Sequence, residues 1–334
     1  MRRVFITGTA GFIGFHLARR LLARGDRVFG YDAITDYYDV TLKHRRHEIL
    51  AGHPAFSARE ARLEDAAELA AALDEARPEI VIHLAAQAGV RYSLENPRAY
   101  VDSNVTGSFN LLEAAREAGV GHLLMASTSS VYGANEEMPF TEDQKADRQL
   151  TIYAATKKAT ESMAHAWAHL HALPITMLRF FTVYGPWGRP DMAFFKFTRA
   201  ILTGQPIDIY NHGRMLRDFT YVDDIVCAIE ALAGAVPGGP EAAVEGDSLS
   251  SVAPYRVVNI GNGTPVPLLD FIAAIEAACG REAIRNYMDM QPGDVTATHA
   301  DTTLLRRLTG FTPATDHREG VRRFVAWYRE YYGL

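Results

Sequence analysis

The sequence predicts an α/β protein built on a doubly wound parallel sheet, and three observations predict it. Short, almost uninterrupted apolar runs, suited to strands buried on both faces, alternate with longer segments whose apolar residues recur at helical spacing. A glycine-rich turn joins the first strand to the first helix. The 334 residues, 48% hydrophobic and 22% charged, suffice to bury the core such a sheet requires.

Arg3 to Thr7 reads as the first strand, and Phe12 to Arg24 as an amphipathic helix that Gly25 stops. Arg27 to Tyr31 is the second strand. The alternation recurs with helix at Glu64 to Ala76, strand at Ile80 to Ala85, helix at Pro97 to Ala118, strand at His122 to Ser127 and helix at Tyr153 to His171. After Pro174 to Arg179 the elements shorten and Gly- and Pro-bearing loops separate them. The expected division is therefore residues 1–178 as a dinucleotide-binding unit and 179–334 as a smaller C-terminal α/β substrate-binding region, some of whose segments return to the first. Ala233 to Pro254 is rich in turn formers and reads as a surface loop with no assigned role. Asp316 to Tyr332 closes the chain as an amphipathic helix, and no internal repeat occurs.

The formal charge of −6 is modest and charges of one sign do not cluster, so composition offers neither nucleic acid nor a membrane surface as a partner. Cys227 and Cys279 are the only cysteines, too few for a disulfide framework and not spaced for zinc; a reducing cytoplasmic setting and no metal are expected. Met1-Arg2-Arg3 followed by apolar residues imitates a signal peptide, but His16, Arg19, Arg20 and Arg24 interrupt the run. No stretch reaches the roughly 20 apolar residues that span a bilayer.

Gly8, Gly11 and Gly14 stand in Gly8-Thr9-Ala10-Gly11-Phe12-Ile13-Gly14, between the first strand and first helix. Glycines here permit a tight turn, admit backbone N–H groups to a pyrophosphate and let the helix lie close on the strand, while the helix N-terminus adds positive potential. Glycine triplets alone are a weak signal. Asp32, at the end of the second strand, strengthens it: a carboxylate there accepts bonds from the adenine-side ribose hydroxyls and repels a 2′-phosphate, which favours NAD over NADP. Tyr153 and Lys157 form a Tyr-x-x-x-Lys pair, whose spacing puts both side chains on one helix face. An ammonium beside a phenol favours the phenolate, drawing its pKa from about 10 toward a value useful for proton transfer. Ser127-Thr128-Ser129-Ser130 places hydroxyls at the carboxyl end of a parallel strand, where such sheets bind ligands.

The G-x-x-G-x-x-G spacing, with the Tyr/Lys pair, resembles the extended short-chain dehydrogenase/reductase family of NAD-dependent sugar epimerases and dehydratases. His83-Leu84-Ala85-Ala86-Gln87-Ala88 is similar to the family segment that passes beside the cofactor, and Asn104 matches an asparagine of the following helix. The resemblance implies a Rossmann-type fold, with cofactor contacts from Gly8, Gly11, Phe12, Ile13, Gly14, Asp32, Leu63, Leu84, Ala85, Ala86, Asn104, Tyr153 and Lys157. It implies catalysis by Tyr153, Lys157 and Thr128, the last bonding the reacting sugar oxygen. Where relatives carry Gly-Asp, this chain has Ala61-Arg62, which leaves adenine contacts there open. The family's dehydratases carry Asp-Glu after the threonine; Ser129 and Ser130 here argue against loss of water.

Arg179 to Asp191, Asp36-Tyr37-Tyr38-Asp39 with Leu42-Lys43, Asn211-His212-Gly213 and Met290 to Asp294 resemble the UDP-glucuronate 4-epimerases of this family. In relatives Arg217 pairs with the nucleotide diphosphate, as suits a guanidinium. The resemblance implies a UDP-sugar site formed by Arg91, Ser129, Ser130, Thr182, Arg189, Arg217 and Asp294, tightly bound NAD regenerated in each turnover, and a homodimer through the helices around Pro97 to Ala118 and Tyr153 to His171. Oxidising carbon 4 of a uronate makes a β-keto acid that loses carbon dioxide unless its carboxylate is held, and Arg189 and Thr182 are the candidates to hold it. The expected reaction is 4-epimerisation of UDP-glucuronate to UDP-galacturonate through a 4-keto intermediate. UDP-glucuronate decarboxylase and UDP-glucose 4-epimerase are the alternatives within the enzymes, and a dinucleotide-sensing binding protein outside them.

Overall fold

Seven parallel strands form the central sheet: β1 (Arg3–Thr7), β2 (Arg27–Asp32), β3 (Phe56–Glu60), β4 (Ile80–His83), β5 (His122–Thr128), β6 (Ile175–Phe180) and β7 (Tyr255–Ile260). The computed structural model describes residues 1–334, the side chain of Pro240 excepted. The strand order is β7-β6-β5-β4-β1-β2-β3. It reverses direction between β1 and β4, and such a switch point opens a crevice at the carboxyl ends of the strands. Burial on both faces explains the apolar runs. In β1, Val4 and Ile6 enter one hydrophobic cluster while Phe5 enters the other.

On one face lie α1 (Phe12–Ala23) and α2 (Val40–Ala51); α3 (Ala66–Ala76), α4 (Gly107–Glu117) and α5 (Ile152–His171) cover the other. Asp65 caps α3 by accepting from the Glu68 N–H, and Thr151 caps α5 through the Ala154 N–H. The helix expected over Pro97 to Ala118 is interrupted: Pro97–Tyr100 is α-helical, Val101–Thr106 is a wider π-helical stretch, and α4 follows. The strand expected to reach Ala85 ends at His83; the Leu84 N–H is shared between the Thr7 carbonyl and hydroxyl, and the Ala85 N–H turns to the hydroxyl. Helix α2 escapes sequence reading because its polar residues run around the whole cylinder, with only Leu42, Lys43, Arg46 and Leu50 buried.

Beyond β6 come α6 (Ala193–Thr203), α7 (Val222–Leu232), α8 (Leu268–Cys279) and α9 (His317–Tyr332), joined by pairs of short strands. Helix α7 lies against α1, and an aromatic cluster of Phe194, Phe195, Phe219, Phe271, Phe324 and Tyr328 ties α6, α8 and α9 together. Their hydrophobic cluster is continuous with that under β1 and α1. The loop at 233–254 is held at the β7 edge by a buried ion pair, Arg256 with Asp247, and by Arg256 bonds to the Ala235 and Ala242 carbonyls. Among the described residues no helix is long and apolar enough to cross a membrane.

Candidate active site

A single cavity of about 1860 Å³ opens over the switch point. That exceeds the 300–1,000 Å³ typical of a drug-sized ligand and suits a dinucleotide beside a second nucleotide. Gly8, Gly11, Phe12, Ile13, Gly14, Asp32, Leu63, Leu84, Ala85 and Ala86 form one end, and Arg91, Ser129, Ser130, Thr182, Arg189, Arg217 and Asp294 line the remainder. Thr128, Tyr153 and Lys157 lie on the wall between. Asn104 alone of the residues expected here does not line it.

The glycine turn is built for close approach. Gly8 has φ +83°, and a Cβ there would sit 2.7 Å from the Ala85 nitrogen; a Cβ on Gly14 would sit 2.0 Å from the Gly8 carbonyl oxygen. The Asp32 carboxylate accepts from the Ala10 N–H at 2.9 Å and the Ile34 N–H at 2.8 Å, so it pins the turn from which the helix starts. A backbone cradle that any side chain would fill, a helix N-terminus and a carboxylate at the strand end fit a dinucleotide. Lys157 fits it too: it is 2% exposed and its ammonium makes no hydrogen bond to protein among the described residues.

Asn104 has another task. Its carboxamide accepts from the Gln87 N–H at 2.8 Å and donates to the Gln87 carbonyl at 3.0 Å and the Thr156 hydroxyl at 3.1 Å. It splices the segment after β4 to the helix that carries Tyr153, and the π-helical stretch sets its orientation. These bonds engage its carboxamide within the protein, and it does not line the cavity.

The electrostatics depart from the sequence argument on one point. Burial pushes the Tyr153 phenol above its ordinary value, and the nearby Thr128 hydroxyl and Arg189 charge act in the lowering direction. Lys157 does not figure among these influences. Burial instead brings Lys157 itself down to about 8, against the opposing charge of Glu161. Helical spacing puts the two on one face but does not force their polar ends together.

Arg189 is also differently placed from a free clamp. Its guanidinium is paired with Asp191, Nε to Oδ1 at 3.0 Å and Nη2 to Oδ2 at 2.5 Å, and the Tyr37 hydroxyl donates to the same carboxylate at 3.2 Å. Burial opposes both charges, yet the pairing holds Asp191 below the usual carboxylate range and Arg189 above its ordinary value. Arg217, by contrast, has no acid within 4.0 Å among the described residues. It donates to the Leu216 and Val295 carbonyls and to the Met215 sulfur, and burial lowers it despite the charge of Asp294. Arg91 bonds Asp294 at 3.2 Å and lies over the Tyr210 ring.

Behind the wall, the buried Glu161 accepts two bonds from Arg179 at 2.9 Å and one from the Ser127 hydroxyl at 2.7 Å, which fixes the end of β5 against α5. Lys43 and Asp191 escaped assignment, although both line the cavity. Lys43 is 6% exposed and donates to the Thr35 carbonyl and hydroxyl, with burial lowering it and the Asp32 charge opposing. The signal in the sequence was that both stand in stretches, Leu42-Lys43 and Arg179 to Asp191, that carry the family resemblance.

A parallel sheet with this strand order, its glycine turn opening on a cavity at the switch point, defines a dinucleotide-binding α/β protein. Residues 4–261 match the model of the NAD dependent epimerase/dehydratase family, and the chain belongs to that family. A probable UDP-glucuronate 4-epimerase of Rhizobium meliloti (strain 1021) is 57% identical, covering 99% of this chain and 98% of the relative. UDP-glucuronate 4-epimerase 1 of Arabidopsis thaliana is 45% identical over 99% of this chain and 77% of its own length. The crystal structure of UDP-glucuronic acid 4-epimerase from Bacillus cereus, in complex with UDP-glucuronic acid and NAD, superposes with a TM-score of 0.88 at 30% identity, covering 98% of this chain and 99% of that one.

Proposed function

We propose that this chain is an NAD-dependent isomerase that converts UDP-glucuronate to UDP-galacturonate through a 4-keto intermediate. The observation that carries the reading is the convergence of Tyr153 and Thr128 between a dinucleotide cradle and a second nucleotide end marked by Arg217. The names and bound ligands of the relatives support the same substrate.

The Gly8 to Gly14 turn holds the pyrophosphate of NAD, Asp32 accepts from its adenine-side ribose, and the unpartnered ammonium of Lys157 holds hydroxyls at the nicotinamide end. When bound, NAD supplies the acceptor and then the donor of one hydride at carbon 4, so it is regenerated in each turnover and stays tightly held. Tyr153 takes the proton of the carbon 4 hydroxyl and returns it after the keto sugar has turned over, while Thr128 steadies the oxygen. Arg217, free of any carboxylate, meets the diphosphate. Ser129, Ser130 and Thr182 offer hydroxyls to the sugar carboxylate, with Arg189 beside them.

The pairing of Arg189 with Asp191 favours one second reading, a decarboxylase, because a guanidinium already engaged holds a β-keto carboxylate less firmly. Proton NMR of UDP-glucuronate incubated with the protein, without added cofactor, separates the two. UDP-galacturonate without pentose is expected. UDP-pentose or a 4-keto pentose would move the assignment to the decarboxylase, and inertness toward UDP-glucuronate with turnover of UDP-glucose would replace the substrate.

The assembly that goes with this activity is a cytoplasmic homodimer. Val101, Phe109 and Leu170, at 41%, 41% and 67% exposure, leave an apolar surface on the two helical segments flanking the cavity wall. Sedimentation at micromolar concentration should show a dimer, and Phe109→Glu should yield monomer.

A further inference from the structure

Arg46 on α2 is completely buried, yet no carboxylate oxygen lies within 4.0 Å of its guanidinium among the described residues. Its partners are neutral oxygens from three separate parts of the chain. Nη1 donates to the Ala10 carbonyl at 2.8 Å and the Tyr38 hydroxyl at 2.9 Å; Nη2 donates to the Trp187 carbonyl at 2.6 Å and the Gly188 carbonyl at 3.2 Å. Ala10 belongs to the glycine turn, where its own N–H is held by Asp32. Trp187 and Gly188 immediately precede Arg189, which lines the opposite end of the cavity.

The second loop needs such a tie. Trp187 has φ +59°, a left-handed conformation that a bulky side chain keeps only when its surroundings impose it. A buried cation without a counter-charge is a costly filler, and an apolar side chain would occupy the space at less cost. What an apolar side chain cannot do is bond two loops at once. A planar guanidinium donates in two directions from a rigid fork, whereas an ammonium is a single point that reaches one loop or the other.

We propose that Arg46 is a positioning residue: it registers the glycine turn against the Trp187–Gly188 backbone and thereby places Arg189 and Asp191 against the sugar. It acts through those residues and does not touch the reacting atoms. This deepens the epimerase reading given above and rests on it for the identity of the sugar.

The test compares Arg46→Lys, which keeps the charge but loses the fork, with wild type for retained NAD, calorimetric binding of UDP-glucuronate and of UDP, and product partition by proton NMR. The expected result is a variant that retains NAD and binds UDP as wild type does. UDP-glucuronate binding should weaken roughly ten- to a hundredfold, as misplacement of a positioning loop does, and a pentose product should appear. A folded variant with NAD, wild-type UDP-glucuronate affinity and no pentose overturns the proposal. Equal weakening toward UDP and UDP-glucuronate also overturns it, since a general structural loss does not discriminate the sugar. Should Arg46→Lys fail to fold, Tyr38→Phe removes one of the four partners. A rise in UDP-glucuronate dissociation constant of about two- to fivefold, the size of one neutral hydrogen bond, then supports the proposal, and wild-type affinity overturns it. Wild-type protein inert toward UDP-glucuronate would sink the functional reading instead, and the affinity of the variants for whichever UDP-sugar it does turn over would then test Arg46 separately.

Discussion

Tyr153 illustrates how little of a residue's chemistry its spacing contains. The Tyr-x-x-x-Lys pattern located the pair, and the structure sets both on the cavity wall, but burial raises the phenol while Thr128 and Arg189, which are 25 and 36 positions away, oppose the rise. If Tyr153 is the proton acceptor, Tyr153→Phe should lower kcat by about 10² to 10⁴, with calorimetric affinity for UDP-glucuronate and NAD content unchanged; activity within tenfold of wild type would remove Tyr153 from that role. Arg189 carries the complementary lesson. The resemblance named Arg189 as a candidate and the structure sets it on the cavity lining, whereas its pairing with Asp191 was not legible, because i, i+2 pairing depends on how the loop turns.

At the scale of elements, the glycine turn and the α5 ion pair are the two local structures on which the cavity depends. Gly14→Ala would drive a Cβ to 2.0 Å from the Gly8 oxygen, both of them backbone-fixed, so the turn must open. The expected outcome is a loss of about 3 kcal/mol or more of stability and protein that purifies without NAD, read by thermal melting and by the absorbance of an acid extract. Glu161→Ala strands Arg179, which is 2% exposed, and should cost about 3–5 kcal/mol. The double variant Glu161→Ala with Arg179→Met should recover much of that loss in chemical denaturation, and no recovery would mean that the pair acts through more than its charge. Strands β1, β2, β4 and β5 and the α1, α3 and α5 helices were readable because periodicity is local, whereas the edge strands β3 and β7 were not assigned. The π-helical stretch and α2 were not: one is a tertiary accommodation around Asn104, and the other buries a lysine and an arginine whose partners lie elsewhere in the chain.

For the whole molecule, several buried titratable groups set the acid limit of stability. Burial holds His16 and His122 down to about 4 and His83 down to about 3, from an ordinary value of 6.5. Below pH 6.5 the unfolded chain takes up protons there that the folded chain refuses, so stability falls as pH falls toward those values. Glu142, which burial raises to about 7 from 4.5, has the opposite sign: it stabilises at low pH and loses that contribution as pH rises through about 7. Glu161 resists protonation down to about 2, since burial is outweighed by its bonds to Arg179, and its contribution is lost as pH falls from 4.5 toward 2. Burial also raises Asp218 and Asp223, which act in the same direction as Glu142, and the three histidines outweigh these acids, so melting temperature should rise from pH 4.5 to 6.5; a flat or falling profile would contradict the buried neutral histidines.

The alternation of apolar strand and amphipathic helix, the glycine turn followed by Asp32, and the Tyr/Lys pair are written in stretches of a few to about twenty-five residues, so hydrophobic periodicity and backbone freedom suffice to reveal them. They determine a parallel sheet and a dinucleotide end, and they single out Tyr153 as the candidate for proton transfer. The withdrawal of Asn104, the open cation of Arg217 and the bridge made by Arg46 were decided only when segments distant in the chain came together, and the pairing of Arg189 with Asp191 only by how their loop turns. In each case the deciding quantity is which oxygen a buried donor finds within about 3 Å, and no local pattern of residues carries that.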